Sequence, residues 1–446
     1  MASLLDQIKR FLRKFTDRRQ SRSRKESQPN RIPPLATSVK FGPGPFINKQ
    51  NRIQASDRRT AASTVARTTS STLQIALQNQ TSSNIVYAYI TGQAINNNNA
   101  LILMESDGKT PYYPPNPSSN GTAIPVNISI PLGPPGNTVT ATIPQIAGGR
   151  IWFSIGAELQ FFVNPGPGLV EPSVYNPSDP NIDTNFGFCE FTFNASQIFV
   201  NISYVDFVGP PIALTLKDTS NNTQHVSGLP ANGMQTIANN LKAQSQLDGQ
   251  PWGSLIVNNS SGQLLRIFSP NSGILLNPSW FQDYWTAYVD SVYSKYSSTP
   301  LTVDTQASFG NVNGQTNSAG CLNFGAGGTF AKPSAADIFS NSSGPFATDN
   351  NAETNTIIPR LAAAFNRSTL LLSNNTPDGT TPNQYYTTSP TNHYARIVHA
   401  ANLDGLGYAF PYDDVTPDGG EPQEGALFSS SPSLLTVAVG GNNAYA

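Results

Sequence analysis

Cysteine is almost missing from this chain, with only Cys189 and Cys321 among 446 residues. That excludes a disulfide-rich scaffold and leaves room for one bridge at most. Charged residues are also scarce, at 12%, which argues against long exposed helices, since these draw on Glu, Lys and Arg. The three histidines, His225, His393 and His399, form no HExxH zinc signature, and His393 and His399 read as structural or groove-lining residues. No run is long and apolar enough to cross a membrane as a helix.

What fills the chain instead is Asn, Ser, Thr, Gly and Pro, a composition of short strands, many turns and neutral hydrogen-bonding surface. The net charge of -1 conceals an asymmetry. Through Arg67 there are 16 Lys and Arg against 4 Asp and Glu; beyond it, 10 stand against 23, which leaves the remainder at -13. An acidic body is a poor partner for nucleic acid, whose backbone demands basic surface.

Residues 1–70 read as a basic arm and linker. Leu4, Leu5, Ile8, Phe11, Leu12 and Phe15 recur at helical spacing among Lys9, Arg10, Arg13 and Lys14. The charges interrupt any secretory apolar core. A disordered leader is the preferred reading, and an anionic surface is a candidate partner. Residues 71–225 carry short strand-like runs at 73–77, 85–90, 100–104, 123–130, 138–143 and 150–155, as in a sandwich or barrel. Residues 226–384 mix helices, expected over 234–246, 280–296, 334–339 and 351–366, with short strands such as 255–257 and 264–268. Residues 385–446 are irregular until the strand 434–439, with Asp404, Asp413, Asp414 and Asp418 in turn-forming sequence. These acids read as turn residues, with groove-lining or a cation site as the alternative.

The chemistry centres on Phe186 to Phe207, FGFCEFTFNASQIFVNISYVDF. Strand alternation places Phe186, Phe188, Glu190, Thr192 and Asn194 on one face and Gly187, Cys189, Phe191 and Phe193 on the other. A second apolar run from Ile198 carries Asp206 near its end. A protonated acid and a second carboxylate on neighbouring strands are what cleavage of a glycosidic bond requires; two solvated strand-end acids are the plain alternative. A simple hairpin turning at Ser196 pairs Glu190 with Ile202 and leaves Asp206 about 13 Å further along. A bulge, strong twist or longer connection must bring them together.

GGRIWFSIG at 148–156, EFTFN with VDFVG within 190–209, RLAAAFNRSTLL at 360–371, and HYARIVHAANLDGLGYAFPYDDVTPDGG at 393–420 together resemble glycoside hydrolase family 64. These are β-1,3-glucanases, the laminaripentaose-producing enzymes among them. The resemblance runs from about residue 71 to the C-terminus and leaves the arm outside. It implies a mainly β protein with α/β: a thaumatin-like β-barrel or sandwich and a mixed α/β domain flanking a wide groove, with the C-terminal segment returning to the barrel.

It further implies endo-acting hydrolysis of β-1,3-glucan by inversion, with Glu190 as general acid and Asp206 as general base. Thr192 and Asn194 resemble substrate-contacting positions, and Phe199 stands where bacterial enzymes carry a tryptophan platform. No metal or organic cofactor is expected, nor a nucleic-acid partner, and a monomer is. The competing reading is a catalytically silent glucan-binding module. The substrate class points outside the cell or to the cell wall, while the missing secretory signal points to the cytoplasm. Asn194 and Asn201 lie in Asn-X-Ser/Thr sequences, and a glycan on Asn194 would block the groove, so that site is expected to be unmodified.

Overall fold

The computed structural model describes residues 69–441; the expected helix and linker of residues 1–68 lie outside them. Two sheets face each other. The five-stranded one runs Thr223–Val226, Ile212–Asp218, Pro432–Val439, Thr72–Asn79, Thr138–Pro144. The eight-stranded one runs Ala426–Ser429, Ile198–Ile202, Asn185–Phe193, Ile146–Ile155, Val86–Ala94, Ala100–Met104, Pro111–Tyr112, with Ile130–Pro131 beside Val86–Ala94. Both are open, so among the described residues there is no closed barrel.

Alternation explains the layering. Residues paired across neighbouring strands share a face. Ile90, Ile151, Cys189 and Ile202 form one such row, and all four are buried in the core. One row along on the opposite face, Thr91, Arg150, Glu190 and Asn201 stand side by side. Beside them run Tyr89, Trp152 and Phe188. Phe161 covers this aromatic row, with its ring centroid 5.3 Å from Tyr89 and 5.8 Å from Trp152.

The helices Gly233–Asp248, Pro270–Leu276, Thr286–Lys295, Ala335–Ser340, Ala352–Asn366 and His393–Ala401 accompany two small sheets. Phe207–Val208 pairs with Leu264–Phe268, so the sandwich and this mixed region share backbone hydrogen bonds. Trp252, Phe281, Phe339 and His393 form a buried aromatic cluster between helices. The rest is mainly β with accompanying helices.

Several sequence expectations need correction. The helix expected from Trp280 begins only at Thr286, because Phe281 adopts a left-handed backbone (φ 60°) that an α-helix does not allow. The strand expected over 123–130 reduces to Thr122–Ala123 and Ile130–Pro131. The apolar run from Ile198 is not one strand: it ends at Ile202, and Phe207–Val208 joins a different sheet. His393 and His399 are structural rather than groove-lining, His393 wholly buried and His399 hydrogen-bonded in the interior. Both cysteines are free. No helix among the described residues is long and apolar enough to cross a membrane.

Candidate active site

Glu190 stands where the sequence put it, on the outer face of its strand, but its neighbour is not Ile202. The turn is tighter by one residue: the Asn194 amide bonds the Gln197 carbonyl, Phe193 faces Ile198, and Glu190 faces Asn201. A slip of one residue exchanges faces, so the polar Asn201 shares the face of Glu190 and Ile202 goes to the core. Asn201 is buried.

On the other flank Glu190 faces Arg150. The Arg150 Nη2 and Nε donate to Glu190 Oε1 at 3.2 and 3.4 Å, and its Nη1 donates to Glu171 Oε2 at 2.5 Å. The guanidinium lies 4.5 Å from the Phe188 ring centroid and 5.4 Å from that of Trp152, a cation over two π-faces. Both Arg150 bonds to Glu190 fall on Oε1, and Oε2 has no hydrogen-bond partner among the described residues. Gly149 is what lets this strand lie close: a Cβ there would come within 2.4 Å of the Phe191 ring.

After Ser203, which bridges to Tyr408, the chain bends at Val205 and Asp206, and Asp206 lies in the field of Arg150. The segment 203–206 is fastened from two sides. The Tyr204 amide bonds the Tyr408 carbonyl at 2.7 Å, and the Tyr394 hydroxyl donates to the Tyr204 carbonyl at 2.7 Å. From the mixed region, the Ser269 amide and the Ser272 hydroxyl donate to the Asp206 carbonyl at 3.0 and 2.8 Å. Of the bulge, strong twist or longer connection that the sequence left open, the structure has an irregular stretch after Ile202, pinned by the C-terminal segment and by one helix start. Asp206 is half-buried. Burial pushes its carboxyl above the usual aspartate range, Arg150 pulls it back, and Glu190 adds to the rise.

Glu171 and Tyr175, which the sequence reading missed, complete the group from the long connection before Asn185–Phe193. Burial also raises the Glu171 carboxyl, against the pull of Arg150. Tyr175 keeps an exposed ring, and its phenol is pushed up to about 12, by the atoms packed round it and then by Asp206. No local sequence pattern marks either residue. Arg266 fixes the end of the same connection: it donates to the carbonyls of Ile182 and Thr184 at 2.7 and 2.8 Å.

The other expected site residues are engaged differently. Thr192 is buried and its hydroxyl accepts from the Gly148 amide at 3.4 Å. Asn194 Oδ1 accepts from the amides of Ser196 and Gln197 at 2.8 and 3.0 Å, an Asx turn that sets the hairpin. Phe199, opposite Thr192, is half-buried. Among the late acids, Asp404 accepts the amides of Ser227 and Leu406, and Asp413 is wholly buried in an ion pair. Asp304, Asp378 and Asp418 bring carboxylate oxygens within 4.8 Å of one another, the one acidic trio among the described residues placed to hold a cation.

Comparison with known proteins identifies the family. A family model for β-1,3-glucanases, glycoside hydrolase family 64, matches residues 71–439. Two glucan endo-1,3-beta-glucosidases, from Cellulosimicrobium cellulans and Arthrobacter sp. (strain YCWD3), are each 27% identical over 292 and 293 residues. Each match takes in 62% of this chain and 50% of the relative, so the chain spans about half the length of the curated relatives it matches. A laminaripentaose-producing β-1,3-glucanase, solved in complex with laminaritetraose, superimposes with a TM-score of 0.73 at 29% identity, over 83% of this chain and 99% of that one. A β-1,3-glucanase domain from Clostridium beijerinckii shares the fold, with a TM-score of 0.64 at 22% identity and coverage of 83% and 99%. On the extent of the family match, the chain belongs to glycoside hydrolase family 64, the β-1,3-glucanases.

Proposed function

We propose that this protein hydrolyses internal bonds of β-1,3-glucan by a single displacement with inversion. The observation that supports this most directly is the convergence of two separately anchored carboxyls, Glu190 and Asp206, in the field of one arginine. Glu190 acts as the general acid. Its Oε1 is held by Arg150, while Oε2 is free to carry the proton that passes to the leaving glycosidic oxygen. Asp206 acts as the general base. It takes a proton from a water that attacks the anomeric carbon from the opposite side of the sugar, which calls for about 6.5–9.5 Å between the carboxyls. Protons balance: one enters at the leaving group and one is taken from water. Nothing beyond two carboxyls and water is invoked.

Of the three expected contacts, Phe199 is assigned to sugar stacking, since a half-buried ring still offers an edge to solvent. Thr192 and Asn194 are assigned to the wall beside it, one through Gly148 and the other through the hairpin turn. The thaumatin-like likeness is retained for the facing sheets. The substrate class sets the workplace at β-glucan walls outside the cell.

The test is product release from linear β-1,3-glucan by wild type, Glu190→Gln and Asp206→Asn, with the anomer followed by NMR. The expected result is α-anomeric product from wild type and a loss of about 10²–10⁴-fold in each variant, with glucan binding kept. Wild type that binds the glucan without cutting it would replace this reading with the silent binding module. β-Anomeric product would overturn the inverting roles.

A further inference from the structure

Arg150 is one cation among three carboxyl groups: Glu171, Glu190 and Asp206. Its side chain is 14% exposed, that of Glu171 26% and that of Glu190 20%. The cluster therefore lies where solvent screens charge only in part. If all three carboxyls ionise, the group carries two uncompensated negative charges, and neighbouring carboxylates in that position hold on to a proton. How the arginine divides its charge decides where that proton resides.

From this division we infer that Glu171 is a positioning residue for the reacting pair: by occupying Nη1 of Arg150 it withholds part of that cation from Glu190 and Asp206, and so keeps a proton on the pair. The inference rests on the reading of Glu190 and Asp206 as acid and base. A guanidinium has its donors fixed in one plane. With Nη1 turned to Glu171, only Nη2 and Nε meet Glu190, and both meet the same oxygen. The aromatic faces of Phe188 and Trp152 fix the plane further. Glu171 thus also helps to leave Oε2 of Glu190 unengaged.

Among the described residues, several elements bring titratable groups to this cluster, and the buried Cys189 thiol, on the core face of the strand of Glu190, lies in the field of that carboxyl. Arg150 and Glu190 come from the eight-stranded sheet, Asp206 from the pinned segment, and Glu171 and Tyr175 from the long connection; Tyr394, from the helix His393–Ala401, adds a phenol within the field of Asp206. Burial pushes the carboxyls of Glu171 and Asp206 upward, in keeping with a cluster short of cations.

Glu171→Gln removes one negative charge and returns the whole cation to the pair. The pH–rate profile on β-1,3-glucan is then expected to move to lower pH on both limbs, by about one unit, with KM little changed. Glu171→Asp, which draws the carboxylate back by one methylene, is expected to shift the profile less and in the same direction. A second measurement does not need turnover: carboxyl titration by NMR of protein carrying ¹³C-labelled Asp and Glu, with the site's signals identified from Glu190→Gln and Asp206→Asn. The Asp206 midpoint is expected to fall in Glu171→Gln. A midpoint superimposable on wild type, in protein whose melting shows it folded, would overturn the inference. If Glu171→Gln does not fold, an unmoved titration in Glu171→Asp overturns it instead. Wild type that cuts no glucan defeats the proposed function, and the titration still decides the role of Glu171.

Discussion

Ser272 holds Asp206 by the backbone and leaves its carboxylate alone. Its hydroxyl donates to the Asp206 carbonyl at 2.8 Å, while the neighbouring Ser269 amide donates to the same oxygen at 3.0 Å. Ser269 also caps this helix, its hydroxyl accepting from the Ser272 amide at 3.2 Å. Asp206, the proposed base, is therefore anchored through its backbone by a helix start on another part of the fold.

Ser272→Ala tests this arrangement. The carbonyl keeps its bond from Ser269, so the expected stability loss is that of one hydrogen bond, about 1 kcal/mol. The expected loss in kcat is about tenfold, smaller than the roughly 10²-fold that a 1 Å misplacement costs, with KM little changed. Denaturant melts and initial rates on β-1,3-glucan check it. A kcat equal to wild type would mean that the segment 203–206 is held well enough by Tyr408 and Tyr394.

Asp206→Asn should separate stability from activity. Burial raises the Asp206 carboxyl above its unfolded value, so its charged form is disfavoured in the folded state. The sign follows: this group costs stability as pH rises through its unfolded range, near 3.8, toward the raised folded value, and the cost is fully present above it. The asparagine variant is expected to melt higher than wild type at pH 7 and equally below about pH 3.5. Thermal melts at the two pH values check it, and a lower Tm at pH 7 would contradict it.

The buried pair His399–Asp413 sets a different pH window. His399 Nδ1 lies 3.0 Å from the Gly405 carbonyl and Nε2 2.8 Å from Asp413 Oδ2, so each ring nitrogen faces an oxygen and the protonated ring can donate at both. Burial pulls the imidazole down, but Asp413 outweighs it and the value is raised. Its contribution is therefore full below about pH 6.5 and lost as pH rises through the folded value. Asp413 is held below the usual range: burial opposes this, and His399 and Arg367 prevail. Its contribution is present above pH 3.8 and lost as pH falls through the folded value. Wild type is expected to be most stable between these limits and to lose Tm above about pH 6.5. His399→Gln is expected to be less stable by about 3 kcal/mol and flatter between pH 6 and 9. Melts across that range check both.

Much of the site could be read from local pattern, because alternation alone puts Glu190 on a polar face behind Phe186 and Phe188. The register could not, although its signal was present. Asn194 is a residue that bonds its own backbone two and three positions on, and that tightens the hairpin and brings Asn201 beside Glu190. Asp206 is legible as a candidate by type and not by position, since nothing between Ile202 and Phe207 announces that the chain leaves one sheet for another. The partners that leave it there, Ser269, Ser272, Tyr394 and Tyr408, are remote in sequence. Glu171 was missed for the same reason: it gains meaning only from Arg150, on a strand paired from elsewhere. Phe281 shows the limit for helices, where apolar spacing was right and one backbone angle overruled it.

The strand Pro432–Val439 lies between Thr72–Asn79, to which it is parallel, and Ile212–Asp218, to which it is antiparallel. Ala426–Ser429, just before it, borders Ile198–Ile202 next to the strand of Glu190. A ribosome thus delivers nearly all of this domain before the middle of one sheet and the border of the other exist. Until then Thr72–Asn79 and Ile212–Asp218 present unpaired edges, the kind that recruit strands from other chains. Closing contacts across more than three hundred residues is slow, so a nascent chain stalled before Ala426 would be an aggregation hazard rather than a shorter folded domain.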